Sequence, residues 1–534
     1  MRSDWTFKLL LLGMAATLGP ACSNDSSSGG AVAPLTPSGP PGSIGSISRS
    51  PVPIGSAYTI TGTGLASTSS VQIGGVAQAF TVINDTTISV IVVDDTTPVG
   101  AHDLVVSSGG PLSAPLPITV VEDVGDVGVP VTSESVQITS YGPDNKHHMF
   151  GYIGHGLTMA WNRSGRYILC LRVDNYKAAP TAGVTAEVAI IDTQNDYEVT
   201  VVDTTRAWNL QQGTMFNWNP AAPETQFFFN DSDATGATWT VLFDITAMTR
   251  VKEYKFGGTT GVPDDVANGG VAPDGSYFVG INYGRLTLRT GTMIAYADSK
   301  PPGGDALLTD GLWKVDIATG NAELIVTLGD ILQLHGDTGG TSIYVHHTLV
   351  NRDSNRISFI TRNSGLNAAA VVNTDGAHNL RVIERANPYH PEWFDESLIP
   401  NPGSNGKYDL YDVDLTPPAY TNPLTHVGVD NTFDQGSMDD DNAYGPLGKW
   451  YTCSRQLRSP SRWVYQCYRF SDDFVFTATS DLTRGDRTGG TTRIDGAPRW
   501  NRLGNELLVG GVVEAAGPDQ GTRQLAIIRF VKEP

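Results

Sequence analysis

One unit recurs through residues 131–534 of this chain: a strand, a tight turn, a second strand, then a hairpin closed by an acidic turn. The tight turn appears at Trp161-Asn162-Arg163-Ser164-Gly165, Trp218-Asn219-Pro220, Ala272-Pro273-Asp274-Gly275 and Asn351-Arg352-Asp353-Ser354-Asn355. It returns, most weakly, at Pro400-Asn401-Pro402-Gly403, then at Gly445-Pro446-Leu447-Gly448 and Trp500-Asn501-Arg502-Leu503-Gly504, seven times in all. Asn, Asp, Pro and Gly adopt the backbone angles such turns need at little cost. The acidic turn follows at Ile191-Asp192-Thr193, Phe243-Asp244-Ile245 and Val315-Asp316-Ile317. A unit of about 50 residues with four strand patterns is a propeller blade. Residues 131–534 are therefore expected to form a seven-bladed β-propeller. The chain ends on a strand, Leu525 to Phe530, and Ser135 to Thr139 is expected to supply the outer strand of the last blade and close the ring.

Composition supports an all-β chain. Gly 59 and Pro 32 suit short strands and many turns. With 40% hydrophobic and 17% charged residues, the chain has enough apolar surface for a sizeable core, which excludes bulk disorder. A formal charge of −20 argues against nucleic acid as a partner.

The N-terminus reads as an export signal over residues 1–21. Arg2 and Lys8 precede an apolar run from Leu9 to Leu18, too short to span a bilayer. Leu18-Gly19-Pro20-Ala21-Cys22 resembles a bacterial lipobox, although Leu18 stands one place early and Pro20 is unusual. The resemblance implies acylation at Cys22, a polar tether over 22–41, and a lipid anchor as the only contact with a membrane. Ser23 is compatible with the outer membrane or the cell surface of a bacterium. Plain secretion after cleavage near Ala21 is the alternative.

Residues 42–121 carry short alternating strands, among them Tyr58-Thr59-Ile60-Thr61, Val71-Gln72-Ile73 and Thr87 to Val92. This pattern indicates a small β-sandwich. Ile47-Ser48, Pro51, Gly55, Thr59-Ile60-Thr61-Gly62-Thr63-Gly64 and Val71-Gln72-Ile73-Gly74-Gly75-Val76 resemble an IPT/TIG domain, an immunoglobulin-like fold. Such domains are spacers or binding modules. Residues 122–130 read as a linker.

Cys453 and Cys467 stand nearly symmetrically about Ser459-Pro460-Ser461, so a cross-strand disulfide is expected in an exported chain. Cys170, inside the run Tyr167 to Leu171, reads as a buried thiol.

Propeller topology sorts the loops by face. The Asn-x-x-Gly and acidic turns fall on the bottom; loops between second and third strands, and between blades, fall on the top. Near the starts of the inner strands stand His155, Gln212, His347, His390, Gln435 and Asp495, from different blades. His346 adjoins them, and His147 and His148 lie in an incoming top loop. A top insertion in blade three, Gly284 to Asp310, carries Arg285, Arg289, Tyr296 and Lys300. The top hairpin of blade six adds Arg455, Arg458 and Arg462. Basic residues thus gather on one face of an acidic chain, beside acids such as Asp233, Asp298 and Asp305.

Several segments, in order, resemble the oligogalacturonate-lyase-type propellers and related uronate-polysaccharide lyases. They are Gln212 to Trp218, Asn282-Tyr283-Gly284-Arg285-Leu286, Asp310 to Asp316, His346-His347-Thr348-Leu349-Val350-Asn351, His390-Pro391-Glu392-Trp393 and Asp495-Gly496-Ala497-Pro498-Arg499-Trp500. The resemblance implies a divalent cation (manganese, or else calcium or zinc) held by His390 and Gln435. The family's His-x-His pair after that Gln is replaced by Met438, Asp439 and their neighbours. The Pro and Tyr of its Arg-Pro-Gly-Tyr stretch are Thr290 and Thr292.

Eliminative cleavage of a uronate needs a neutraliser for the carboxylate, a base for the C5 proton and an acid for the leaving oxygen. Arg285 or Arg289 is the candidate neutraliser, His155 or His347 the base, and Tyr283 or Tyr296 the acid. Gln212, His346, Arg455, Arg458, Arg462 and Asp495 are the candidate substrate contacts. Two functions follow: a surface propeller that binds an acidic polysaccharide or a protein in its top funnel, acting as a monomer, or a polysaccharide lyase on the same ligand. No nucleophile elbow, phosphate loop or zinc-protease helix appears.

Overall fold

The polar turn residues carry much of the architecture. In a computed structural model of the protein, which describes residues 43–532 with interruptions, the longest at 122–129, 152–159, 415–424 and 428–437, the first tight turn is organised by Asn162. Its Oδ1 accepts the Tyr167 N–H at 2.9 Å. The same device returns at Asn351, which accepts from the N–H groups of Asn355 and Arg356, and at Asn501, which accepts from Asn505 and Glu506. The acidic turns work alike: Asp192, Asp244 and Asp316 each accept backbone N–H groups two or three residues on. The repeat seen in the sequence is therefore a repeat of side-chain-capped turns.

Between these turns the strands pair into seven antiparallel sheets in chain order. Blade one runs from His147–Met149 to Glu198–Thr205, blade two from Asn217–Trp218 to Thr249–Tyr254, and blade three from Val266–Val271 to Ala322–Thr327. Blade four runs from Tyr344–Val350 to Arg381–Glu384. Blade five shows three described strands, Leu398–Pro402, Tyr408–Asp412 and Thr425–Val427, and blade six runs from Met438–Tyr444 to Phe474–Thr479. The second strands are buried on both faces, as Tyr167–Val173 and Gln226–Ser232 show, because each blade is covered by its neighbours.

Blade seven combines the two ends of the propeller. Arg499–Trp500, Glu506–Val513 and Thr522–Lys532 pair in turn, and Pro130–Gln137 adds the outer strand. Ser135 pairs with Ile528 and Val136 with Ile527, so the expected closing strand is present. It begins earlier than expected, at Pro130. Thr139 Oγ1 then donates to Gln524 Oε1 at 2.7 Å and accepts the Leu525 N–H at 2.9 Å.

The sandwich has sheets of four and five strands. Their inward residues, including Ile60, Ile73, Ile88, Val90, Leu104 and Ile118, form its core. Tyr58, Ile60, Val71 and Ile73 are buried while Thr59, Thr61 and Gln72 are not, as the alternation requires.

Two structural features depart from the sequence expectations. The blade-three insertion begins as a helix, α1, Tyr283–Thr290, and a second helix, α2, Leu328–His335, follows the blade. The capping box of Thr327 and Asp330 is the signal for α2. Cys453 and Cys467 are not disulfide-bonded. Cys453 faces Gln466, and Cys467 faces Thr452. That offset of one residue sends the two thiols to opposite faces of the sheet. Among the described residues no helix is long and apolar enough to cross a membrane.

Candidate functional site

The inner strands, which surround the propeller axis, are broken at mid-height. In blade one, His147–Met149 pairs with Leu171–Val173, and Trp161 bridges Ile168. Register shifts interrupt blade three between Asn268 and Gly270, blade four between His346 and Leu349, and blade six between Met438 and Asn442. Such bulges turn backbone and side chains out of the ladder. Here they join blade to blade. Asn268 Nδ2 donates to Met215 O at 3.0 Å, Thr348 Oγ1 to Gly269 O at 2.7 Å, and Arg499 Nη2 to Gly151 O at 3.4 Å.

The loop entering blade two is rigid for local reasons. Asn209 and Gly213 exchange backbone hydrogen bonds, and Asn209 Oδ1 accepts the N–H groups of Gln211 and Gln212. Gly151 and Gly213 let this loop touch blade one. A Cβ on Gly151 would stand 2.4 Å from Gln212 O, and one on Gly213 would stand 2.4 Å from Phe150 O. Both have positive φ, 111° and 64°. The Gln211 and Gln212 side chains are buried, and their Nε2 atoms find no hydrogen-bond partner among the described residues.

Gln211 lines an open cleft with Phe150, Asp495, Arg499, Leu508 and Arg523 among its walls. Arg523 comes from the last strand and is 6% exposed. Its Nη1 donates to Leu210 O at 2.7 Å, and its Nε has no partner among the described residues. Burial pulls the Arg523 pKa down to about 10, with the Asp495 carboxylate opposing. Asp495 is itself paired with Arg493, at 2.6 Å and 3.1 Å. The Arg499 guanidinium lies 5.9 Å from the Phe150 ring centre. The chemistry offered is that of an anion site with amide donors beside it.

Two histidines stand behind the cleft. His147 Nδ1 accepts the Arg523 N–H at 3.2 Å, and His148 Nδ1 lies 2.9 Å from Gln524 Oε1. Burial lowers both pKa values to about 4, so both rings are neutral at pH 7.

The expected site residues are distributed unevenly. Asp495 lines the cleft, and Gln212 adjoins Gln211 in the rigid loop. Arg285 is 2% exposed, with Nε 2.5 Å from Asp310 Oδ2, and Asn282 Nδ2 donates to the same oxygen. It belongs to the packing of α1 and not to an open face. Tyr283 is also buried, donates to Asn268 O and stacks on Tyr296 with ring centres 4.4 Å apart. Burial raises both phenols well above the ordinary tyrosine range. His346 and His347 are buried side by side with their Nδ1 atoms facing, and His347 takes a positive φ of 53° in the bulge. Arg462 is half-buried at the start of Ser461–Arg469. Cys22, His155, His390 and Gln435 lie outside the described residues, as do the side chains of Arg289, Arg455 and Arg458.

Gln211, Arg493 and Arg523 were not singled out from the sequence, and Arg499 appeared there only within the segment Asp495 to Trp500. Arg523-Gln524, polar residues directly before the apolar run Leu525 to Ile528, is the signal that was there to find. Among the described residues no three His, Cys, Asp or Glu side chains gather as a cation would require, and His390 and Gln435, the expected ligands, lie outside them.

Residues 41–120 match the family model described as the IPT/TIG domain. No curated protein matches the chain. Among solved structures, the chain is similar to an oligogalacturonate lyase in complex with manganese, at 13% identity and a TM-score of 0.48, covering 74% of this chain and 93% of that one. An oligogalacturonate lyase from Vibrio parahaemolyticus gives 13% and 0.48, covering 75% and 97%. The β-propeller domain of the Trilobed protease from Pyrococcus furiosus gives 10% and 0.31, covering 67% and 83%. The fold class is thus an immunoglobulin-like sandwich followed by a seven-bladed β-propeller.

Proposed function

We propose that this chain is a surface-anchored binding protein whose propeller takes an acidic polysaccharide at the cleft between blades seven and one. The observation that carries this is local charge. In a chain of −20, the one carboxylate among the described cleft walls, Asp495, is paired with Arg493, and Arg499 and Arg523 line the same cleft. Buried guanidinium groups favour an anionic ligand, and the neighbouring amides suit sugar hydroxyls. Lipidation at Cys22 would hold the propeller at an outer membrane or cell surface, on a tether and a sandwich spacer.

Calorimetric titration with polyuronates and with neutral glycans of the same length tests the proposal. Binding confined to the acidic polymers, and weakened by salt, is the expected outcome. Equal or absent binding contradicts it. Cleavage by β-elimination is the alternative, and the paired imidazoles of His346 and His347 on an inner strand favour it as candidate bases. Ultraviolet absorbance of an unsaturated uronate product would establish it.

A further inference from the structure

We infer that Gln211 and Arg523 form a carboxylate-binding corner in this cleft, specific for the C6 carboxylate of a single uronate unit. The inference rests on the proposed binding of an acidic glycan and names the groups that recognise it.

Both side chains are more than nine-tenths buried, and both line the cleft. Gln211 Nε2 and Arg523 Nε lack a partner among the described residues. A buried donor without an acceptor costs about 1–3 kcal/mol, so two in one cleft mark the place of an absent acceptor. Arg523 is held at its guanidinium and Gln211 at its backbone. Arg523 is held by Leu210 O on its Nη1 and by His147 Nδ1 on its backbone N–H. Gln211 rides on the loop fixed by Asn209. The site is preorganised before any ligand arrives.

The missing acceptor is anionic, because Arg523 keeps its charge at neutral pH even with its pKa lowered to about 10. A single negative charge fits best, because Asp495, even paired with Arg493, lowers the positive potential that a dianion would need. A carboxylate meets both conditions, offering one oxygen to the guanidinium and the other to the amide. Asp495, an acceptor, then faces the hydroxyls of the same sugar. A sulfate ester shares the single charge but not the planar two-oxygen edge, and inorganic phosphate is a tetrahedral mixture of monoanion and dianion at pH 7.

The full chain is titrated at pH 7 with trigalacturonate, neutral galactotriose, a sulfated galactan trisaccharide and inorganic phosphate. Gln211→Ala, Gln211→Glu and Arg523→Gln are compared with the unaltered chain after circular dichroism has checked their folding. The expected result is tight binding of trigalacturonate alone, weakened at least tenfold by Gln211→Ala and abolished by Gln211→Glu, which sets a carboxylate where the ligand's must go. If Arg523→Gln does not fold, the two Gln211 variants decide. Trigalacturonate affinity unchanged in both Gln211 variants overturns the corner and leaves the acidic-glycan proposal standing. Preference for the sulfated sugar or phosphate overturns the carboxylate assignment. No binding of any anion overturns both.

Discussion

Arg523 Nη1 donates to the Leu210 carbonyl at 2.7 Å across 313 residues of sequence. The bond runs from the last strand of the chain to the loop that enters blade two, past the inner strand of blade one. Ring closure and cleft geometry are therefore one structural problem. Whatever loosens blade seven moves Arg523, and whatever moves Arg523 opens the cleft.

The histidines behind the cleft make closure sensitive to acid. His147 and His148 titrate at about 4 in the fold against 6.5 outside it, chiefly through burial. A depressed pKa gives stability that is complete above pH 6.5 and is lost as pH falls towards 4. The melting temperature is expected to fall across that window. His148→Gln, whose amide still donates to Gln524, is expected to fall less. Equal pH profiles for the two chains would contradict this.

Asp265 carries the opposite dependence. Burial, with Asp264 beside it, raises its pKa to about 7 from 3.8. The unfolded chain gives up this proton first, so stability declines as pH rises from 3.8 to about 7. Asp265→Asn should raise stability by about 1 kcal/mol at pH 8, after allowance for partial exposure, and by nothing at pH 4. Urea midpoints at the two pH values check it.

The loop entering blade two packs this closely on blade one because Gly151 and Gly213 have no side chain there. Gly151→Ala and Gly213→Ala combine a backbone clash with positive φ, and each is expected to cost roughly 2–4 kcal/mol. Denaturant titration measures it. A loss below about 0.5 kcal/mol would mean that the contact relaxes freely.

Arg285 is expected to behave as a fold residue. Removing it leaves Asp310 buried without its cation, so Arg285→Ala should cost about 3–5 kcal/mol. Urea denaturation would show the loss with no ligand present. A variant of unchanged stability that loses only ligand binding would return Arg285 to the site.

The fold was legible because its signals are local. Asn162, Asn351 and Asn501 appear in the sequence as turn residues and act in the structure as turn caps. Ring closure was legible because the apolar strand Leu525 to Phe530 needs an outer partner, which Ser135 and Val136 supply. The site was less so. Asp495 and Gln212 were chosen by position, and both stand at the cleft or beside it. Arg285 and Tyr283 were chosen by residue type, and both are packing residues of blade three. Sequence order does not show which way a side chain points when bulges break the inner strands. Arg523 depends on the same kind of information, since only the closed ring brings the last strand to the loop at Leu210. For Cys453 and Cys467, spacing suggested a pair, and a register offset of one residue separates them.

The most direct test of the central claim is the affinity of the full chain for trigalacturonate against neutral galactotriose, measured by calorimetry at pH 7 in low and high salt. Arg499 and Arg523 beside a neutralised Asp495 predict binding of the acidic sugar alone, weakening as salt rises. Equal affinity for the two sugars, or none for either, would contradict it.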